Sequence, residues 1–157
     1  MNKALLFDFD GVLVDSFEIN YYTRLKIYKD GMSRKKYREL YSKNIHADLK
    51  TAKVPKTNLF FKILGPKLMR LKLNVGAKEL LDELSKNYDL FIVSSTPASL
   101  ISDYLKRQDA LQYFKKILGG DSHKTKVKKV NFILEPILKI ICRRNYRILI
   151  GLALNKF

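Results

Sequence analysis

The sequence predicts an α/β fold: a three-layer sandwich on a mostly parallel sheet, with a small helical module inserted after the first strand. Three observations lead there. Short apolar runs near 4–7, 89–93, 114–118 and 146–152 alternate with stretches of helical periodicity. Polar residues gather just after the runs: Asp8 and Asp10, then Ser94, then Gly119 onward. Between the first run and the second lies a strongly basic segment with its own helical pattern.

In chain order, Ala4-Leu5-Leu6-Phe7 is a continuous apolar run, which reads as a strand buried on both faces. Asp15 or Ser16 is placed to cap a helix reaching about Lys29, and Gly31 to stop it. Ser33 opens a second helix over 34–43, and a third occupies about 59–64 before Gly65-Pro66 breaks it. From Gly76 to Lys86 an amphipathic helix presents Leu80, Leu81 and Leu84. The second strand covers 89–93, and Pro97 suits the first position of a helix to about Arg107. A third strand at 114–118 is followed by a long helix from about Lys124, which Pro136 should kink or divide. A fourth strand at 146–152 is the last, so the sheet is expected to lack its final strand.

The 157 residues suit one domain with a sizeable core. With 46% hydrophobic and 29% charged residues, disordered and fibrous classes are excluded. One cysteine, Cys142, excludes an intramolecular disulfide framework and any multi-cysteine zinc site. No apolar run is long enough for a membrane span, and the N-terminus does not read as a signal peptide, so a cytoplasmic setting is expected. The net charge of +16 is unevenly spread. Residues 17–73 carry fifteen basic and four acidic side chains, and 122–157 carry nine basic and one acidic. The remaining segments are slightly acidic. Such fields attract anions: phosphorylated metabolites, nucleic acid or anionic headgroups.

In parallel sheets ligands bind at the carboxyl ends of the strands, where the polar clusters fall. Two carboxylates one residue apart past a strand have no packing use, since burying them unpaired is costly. One could attack an electrophile while its neighbour handles a proton. Taken alone, the pair fits turn or helix-capping aspartates equally well.

The run Asp8-Phe9-Asp10-Gly11-Val12-Leu13-Val14-Asp15-Ser16 resembles the first signature of the haloacid dehalogenase superfamily, above all its phosphatase and phosphomutase branch with a helical cap. Val75-Gly76-Ala77-Lys78-Glu79-Leu80-Leu81 is similar to the helix that follows that cap. The resemblance implies a Rossmann-like core at 1–16 and 74–157 and a helical cap at 17–73. It also implies Mg²⁺-dependent hydrolysis of a small phosphate monoester through an aspartyl-phosphate. Asp8 matches the nucleophile and Asp10 the general acid/base. The Asp8 side chain and the Asp10 backbone carbonyl match the metal ligands. Ser94 matches the second-motif hydroxyl that binds a phosphoryl oxygen, with Gly11 and Ser95 as neighbouring substrate-binding positions. Lys124 matches the third-motif lysine, with Lys126 as competitor. Ser94, Ser95 and Thr96 equally suit helix capping. Asp10 disfavours a dehalogenase, because a halide needs no protonation.

The pattern departs at the fourth motif. The segment from Ile148 to Lys156 keeps strand, Gly151 and Asn155, but Leu152 and Lys156 occupy the positions of two metal-holding acids. Mg²⁺ demands near-ideal oxygen coordination that neither side chain supplies. Weak or absent turnover is therefore expected, from either a diverged or a truncated chain. The basic cap interleaves Arg24, Lys26, Arg34, Lys35, Lys36 and Arg38 with Tyr21, Tyr22, Tyr28, Tyr37 and Tyr41. It is expected to be a solvated basic face with tyrosines packing inward. The alternative is a non-catalytic module that tracks a nucleic-acid backbone.

Overall fold

The computed structural model describes residues 3–41, 58–122 and 128–129. Two compact units divide the chain: Met1–Asp15 with Lys72–Phe157, and Ser16–Leu71. The expected strand at 146–152 and most of the expected helix from Lys124 lie outside the described residues.

In the first unit, β1 (Lys3–Phe7), β2 (Tyr88–Val93) and β3 (Phe114–Leu118) form a parallel sheet in the order β1-β2-β3. This is the Rossmann-like α/β arrangement expected from the apolar runs. The register pairs Phe7 with Ile92, and Val93 with Leu118. The residues just past each strand, Asp8, Ser94 and Gly119, therefore emerge at one edge. A bulge between Leu90 and Phe91 shifts the β2–β3 pairing by one residue. Leu90, Ile92 and Val93 are buried, while Leu5, Leu6 and Phe7 are half-buried rather than fully enclosed among the described residues.

The helix α4 (Ala77–Ser85) begins after Gly76, whose φ of 76° is left-handed. The expected stripe of Leu80, Leu81 and Leu84 is corrected: Leu81 is fully buried, but Leu80 is 52% exposed. Consecutive helical residues lie about 100° apart, so the inward face follows Ala77, Leu81 and Leu84 at i, i+4, i+7. The next helix, α5 (Ala98–Arg107), starts one residue later than expected. Pro97 has ψ 139° and is the N-cap, not the first helical residue. Ile101, Tyr104 and Leu105 form the buried face of α5. A 3₁₀ turn, Leu111–Tyr113, leads into β3.

The Ser16–Leu71 unit contains α1 (Phe17–Tyr28), α2 (Arg34–Tyr41) and α3 (Asn58–Leu68). Ser16 occupies the N-cap of α1 without a side-chain capping bond; instead its carbonyl accepts from the backbone and the side-chain amide of Asn20. Gly31 does not end α1. Lys29 does, by turning left-handed at φ 49° with its N–H on the Leu25 carbonyl. Ser33 caps α2 as expected, its Oγ accepting from the Lys36 N–H at 3.3 Å. Gly65-Pro66 does not break α3, which runs through to Leu68. Pro66 forfeits one backbone bond, yet continuing the helix buries both Leu64 and Leu68, four residues apart on one face. Full burial of a leucine contributes about 1.5–3 kcal/mol, enough to offset that loss. Tyr21 and Tyr37 pack inward beside Phe17, as expected, whereas Tyr22 stays half-exposed. Among the described residues, no helix is long and apolar enough to cross a membrane.

Candidate active site

Past β1 the chain closes into a tight turn over residues 9–14. The Phe9 carbonyl collects the N–H groups of Val12, Leu13 and Val14 at 3.0–3.4 Å, and the Gly11 N–H reaches the Val14 carbonyl at 2.8 Å. Gly11 sits at φ 74°, a region that a Cβ disfavours. The turn is also held from far along the chain. The Asn74 side-chain amide donates to the Val12 carbonyl at 2.8 Å, and its backbone N–H to the Leu13 carbonyl at 2.9 Å.

Phe9 is fully buried and meets Tyr104 edge-on, with ring centroids 5.3 Å apart. The Asp8 Oδ1 accepts from the Phe9 N–H at 2.9 Å, which fixes the carboxylate against its own backbone. Tyr104 is fully buried as well, and burial pushes its phenol up to about 12, since the phenolate could not be solvated there.

The second strand delivers the partners of Asp10. Thr96 Oγ1 donates to Asp10 Oδ2 at 2.6 Å, and Ser94 Oγ lies 3.4 Å from the same oxygen. Ser94 Oγ in turn accepts from the Thr96 N–H at 3.1 Å. Ser94 and Thr96 are both buried, so neither hydroxyl is bathed in solvent. A further strand end locks this loop. The Gly120 N–H donates to the Thr96 carbonyl at 2.8 Å, and Asp121 Oδ1 accepts from the Ala98 N–H at 3.0 Å. Asp121 thereby caps α5, a task that proline at the N-cap leaves open. A Cβ on Gly120 would stand 2.1 Å from the Ser95 carbonyl oxygen, and one on Gly119 would stand 2.1 Å from the Ala98 nitrogen. Only glycine permits that approach.

Lys129 is 1% exposed, and its ammonium donates to the Ser94 carbonyl. It brings a positive charge to the strand end.

Of the residues singled out from sequence, Asp10 and Ser94 are thus brought together, and Asp8, Gly11 and Ser95 flank them. Lys124, Lys126, Leu152 and Lys156 lie outside the described residues. Sequence reasoning gave Thr96 only a capping role, although it makes the shorter bond to Asp10; it passed over Asn74 and left Lys129 as one of the lysines that follow Lys124. A hydroxyl two residues beyond Ser94 was the visible signal for Thr96. Nothing local marks Asn74, whose partners lie 62 residues away.

The oxygen donors that would face a divalent cation, the Asp8 carboxylate and the Asp10 backbone carbonyl, are of the hard type that suits Mg²⁺. Among the described residues, no group of three His, Cys, Asp or Glu side chains could hold a metal. The donors present fit the ion in kind and form a partial set.

Solved structures share this fold. A haloacid dehalogenase-like hydrolase from Streptococcus pneumoniae superimposes with a TM-score of 0.66 at 22% identity, covering 86% of this chain and 70% of that one. CbbY from Rhodobacter sphaeroides, in complex with xylulose-1,5-bisphosphate, gives 0.61 at 19% identity over 80% and 66%. A provisionally assigned phosphoglycolate phosphatase from Lactobacillus plantarum gives 0.62 at 16% identity over 83% and 73%. No curated protein sequence matches the chain. The model of the haloacid dehalogenase-like hydrolase family matches residues 5–150, from the first strand to well beyond the last described turn. By that match the chain belongs to the haloacid dehalogenase-like hydrolases.

Proposed function

We propose that the chain hydrolyses a small phosphate monoester through an aspartyl-phosphate, with slow turnover. The observation that carries this reading is the meeting of Asp10 with Ser94 and Thr96 where two parallel strands end. Asp8 Oδ attacks phosphorus, and the bond from phosphorus to the leaving oxygen breaks. Asp10 gives that oxygen its proton. In the second half, Asp10 takes a proton from the water that attacks the aspartyl-phosphate, releasing inorganic phosphate and restoring Asp8. Ser94 holds a phosphoryl oxygen. Positive charge comes from the lysine-rich run after Asp121, with Lys124 carried over from the family and the Lys129 ammonium at the Ser94 carbonyl. The Asp8 carboxylate and the Asp10 carbonyl would hold Mg²⁺, which supplies charge neutralisation at phosphorus when bound.

Release of phosphate from p-nitrophenyl phosphate and a series of sugar phosphates, with Mg²⁺ and with EDTA, tests the reading. Slow Mg²⁺-dependent turnover that Asp8→Asn abolishes is the expected result. Turnover that survives Asp8→Asn would reject the covalent route.

One observation favours a second reading, a module that binds single-stranded nucleic acid. Tyr22 is 50% exposed, and the Arg34 guanidinium lies 5.5 Å from its ring centroid. Such a pair can stack a base, and a phosphate would compete with Glu18, which lies 3.0 Å from the Arg34 guanidinium. An electrophoretic shift at low salt that Tyr22→Ala removes would support it; the absence of any shift would dismiss it.

A further inference from the structure

We infer that Thr96 is a positioning residue for Asp10, set in place by the Gly119-Gly120-Asp121 loop. This deepens the phosphatase reading and rests on Asp10 as its proton carrier. The Thr96 hydroxyl donates to Asp10 Oδ2 at 2.6 Å, whereas Ser94 Oγ stands 0.8 Å farther off, at 3.4 Å. The shorter bond is in the range of a strong hydroxyl–carboxylate interaction. Thr96 is only 4% exposed, so water does not compete for it. Its backbone is held on both sides: the N–H by Ser94 Oγ, the carbonyl by the Gly120 N–H. A β-branched side chain on a fixed backbone has few rotamers, which restricts where the hydroxyl can point. The close approach of Gly119 and Gly120 to the 95–98 backbone, with Asp121 on Ala98, leaves that loop little room to shift. Thr96 thus acts on the orientation of Asp10 from 86 positions away.

Substitution of Thr96 by Val keeps the shape and removes the hydroxyl, while Ser keeps the hydroxyl. Crystal structures and p-nitrophenyl phosphate kinetics of wild type, Thr96→Val and Thr96→Ser decide the matter, with Thr96→Ala replacing Val if that variant fails to fold. The expected outcome has two parts. The Asp10 carboxylate turns away in Val and stays in Ser. Turnover falls roughly 10²-fold in Val with KM little changed, as for a misplaced catalytic group, and Ser restores it to within a few-fold. A carboxylate that keeps its orientation in Thr96→Val, or a Ser variant as impaired as Val, overturns the inference. If wild type shows no turnover, the phosphatase reading fails by itself, and the carboxylate orientation in the variants still decides the role of Thr96.

Discussion

Asn74 is bonded to Val12 across 62 residues of chain, its side-chain amide 2.8 Å from the Val12 carbonyl while its backbone N–H takes the neighbouring Leu13 carbonyl. The segment leaving the inserted unit is thereby tied to the turn that carries Asp8 and Asp10. The turn that positions the carboxylates is thus stabilised by a residue with no chemistry of its own.

Replacing Asn74 by Ala should cost about 1–3 kcal/mol, because the Val12 carbonyl, part-buried, loses its donor. Thermal denaturation followed by circular dichroism reads this as a lower Tm. A Tm within a degree of wild type would show that the turn holds itself.

Gly120→Ala should be more damaging. Its Cβ would stand 2.1 Å from the Ser95 carbonyl oxygen, which is backbone and cannot swing aside. The 94–98 loop must move, at a cost of at least 1–3 kcal/mol on the order of an overpacked core. Urea denaturation should show a reduced midpoint, and any phosphatase activity should fall with it. An unchanged midpoint would mean that the two loops are not in contact in solution.

Tyr104 makes alkaline stability a probe of the core under Phe9. Its folded-state value, about 12, lies above the unfolded value of 10.0. The folded protein therefore keeps a proton that the unfolded chain releases between those values. The associated stability is fully present below pH 10 and is lost as pH rises through 10 to 12, on the order of 2 kcal/mol in all. Chemical denaturation at pH 8 and pH 11, wild type against Tyr104→Phe, checks it. The gap between the two proteins should move in favour of Phe at pH 11. No relative change would show that the phenol ionises in place. Among the described residues its oxygen has no hydrogen-bond partner, so the Phe variant should already be no less stable at pH 8.

Leu152→Asp with Lys156→Asp restores the two carboxylates that the family pattern places after the fourth strand. Turnover with Mg²⁺ should rise roughly ten- to a hundredfold, since a well-held divalent cation contributes several kcal/mol at the transition state. Isothermal titration with Mg²⁺ should show tighter binding alongside. Unchanged Mg²⁺ affinity in the double variant would show that these positions do not face the metal.

Local chemistry wrote much of the sheet into the sequence. An apolar run as short as Leu90-Phe91-Ile92-Val93, followed by turn residues, reads as a buried strand, and alternation with helical stretches favours parallel strands. The Asp8–Ser16 signature carried the family, because its turn residues and carboxylates sit in one short span. Element ends were less legible. Lys29 ends α1 although Gly31 stands nearby, and α3 passes through Pro66 because Leu64 and Leu68 both find burial.

What the sequence by itself determined was the three strands of the described sheet, the position of the carboxylate pair and the family signature around it. Only the tertiary structure decided which hydroxyl, amide and ammonium meet them: Thr96 rather than Ser94 in the short bond to Asp10, Asn74 beneath the turn, Lys129 at the Ser94 carbonyl. The reason is range. Periodicity and turn preference act over a few residues, whereas these bonds join positions from 35 to 86 apart, fixed by strand register and by two glycines that let backbones touch.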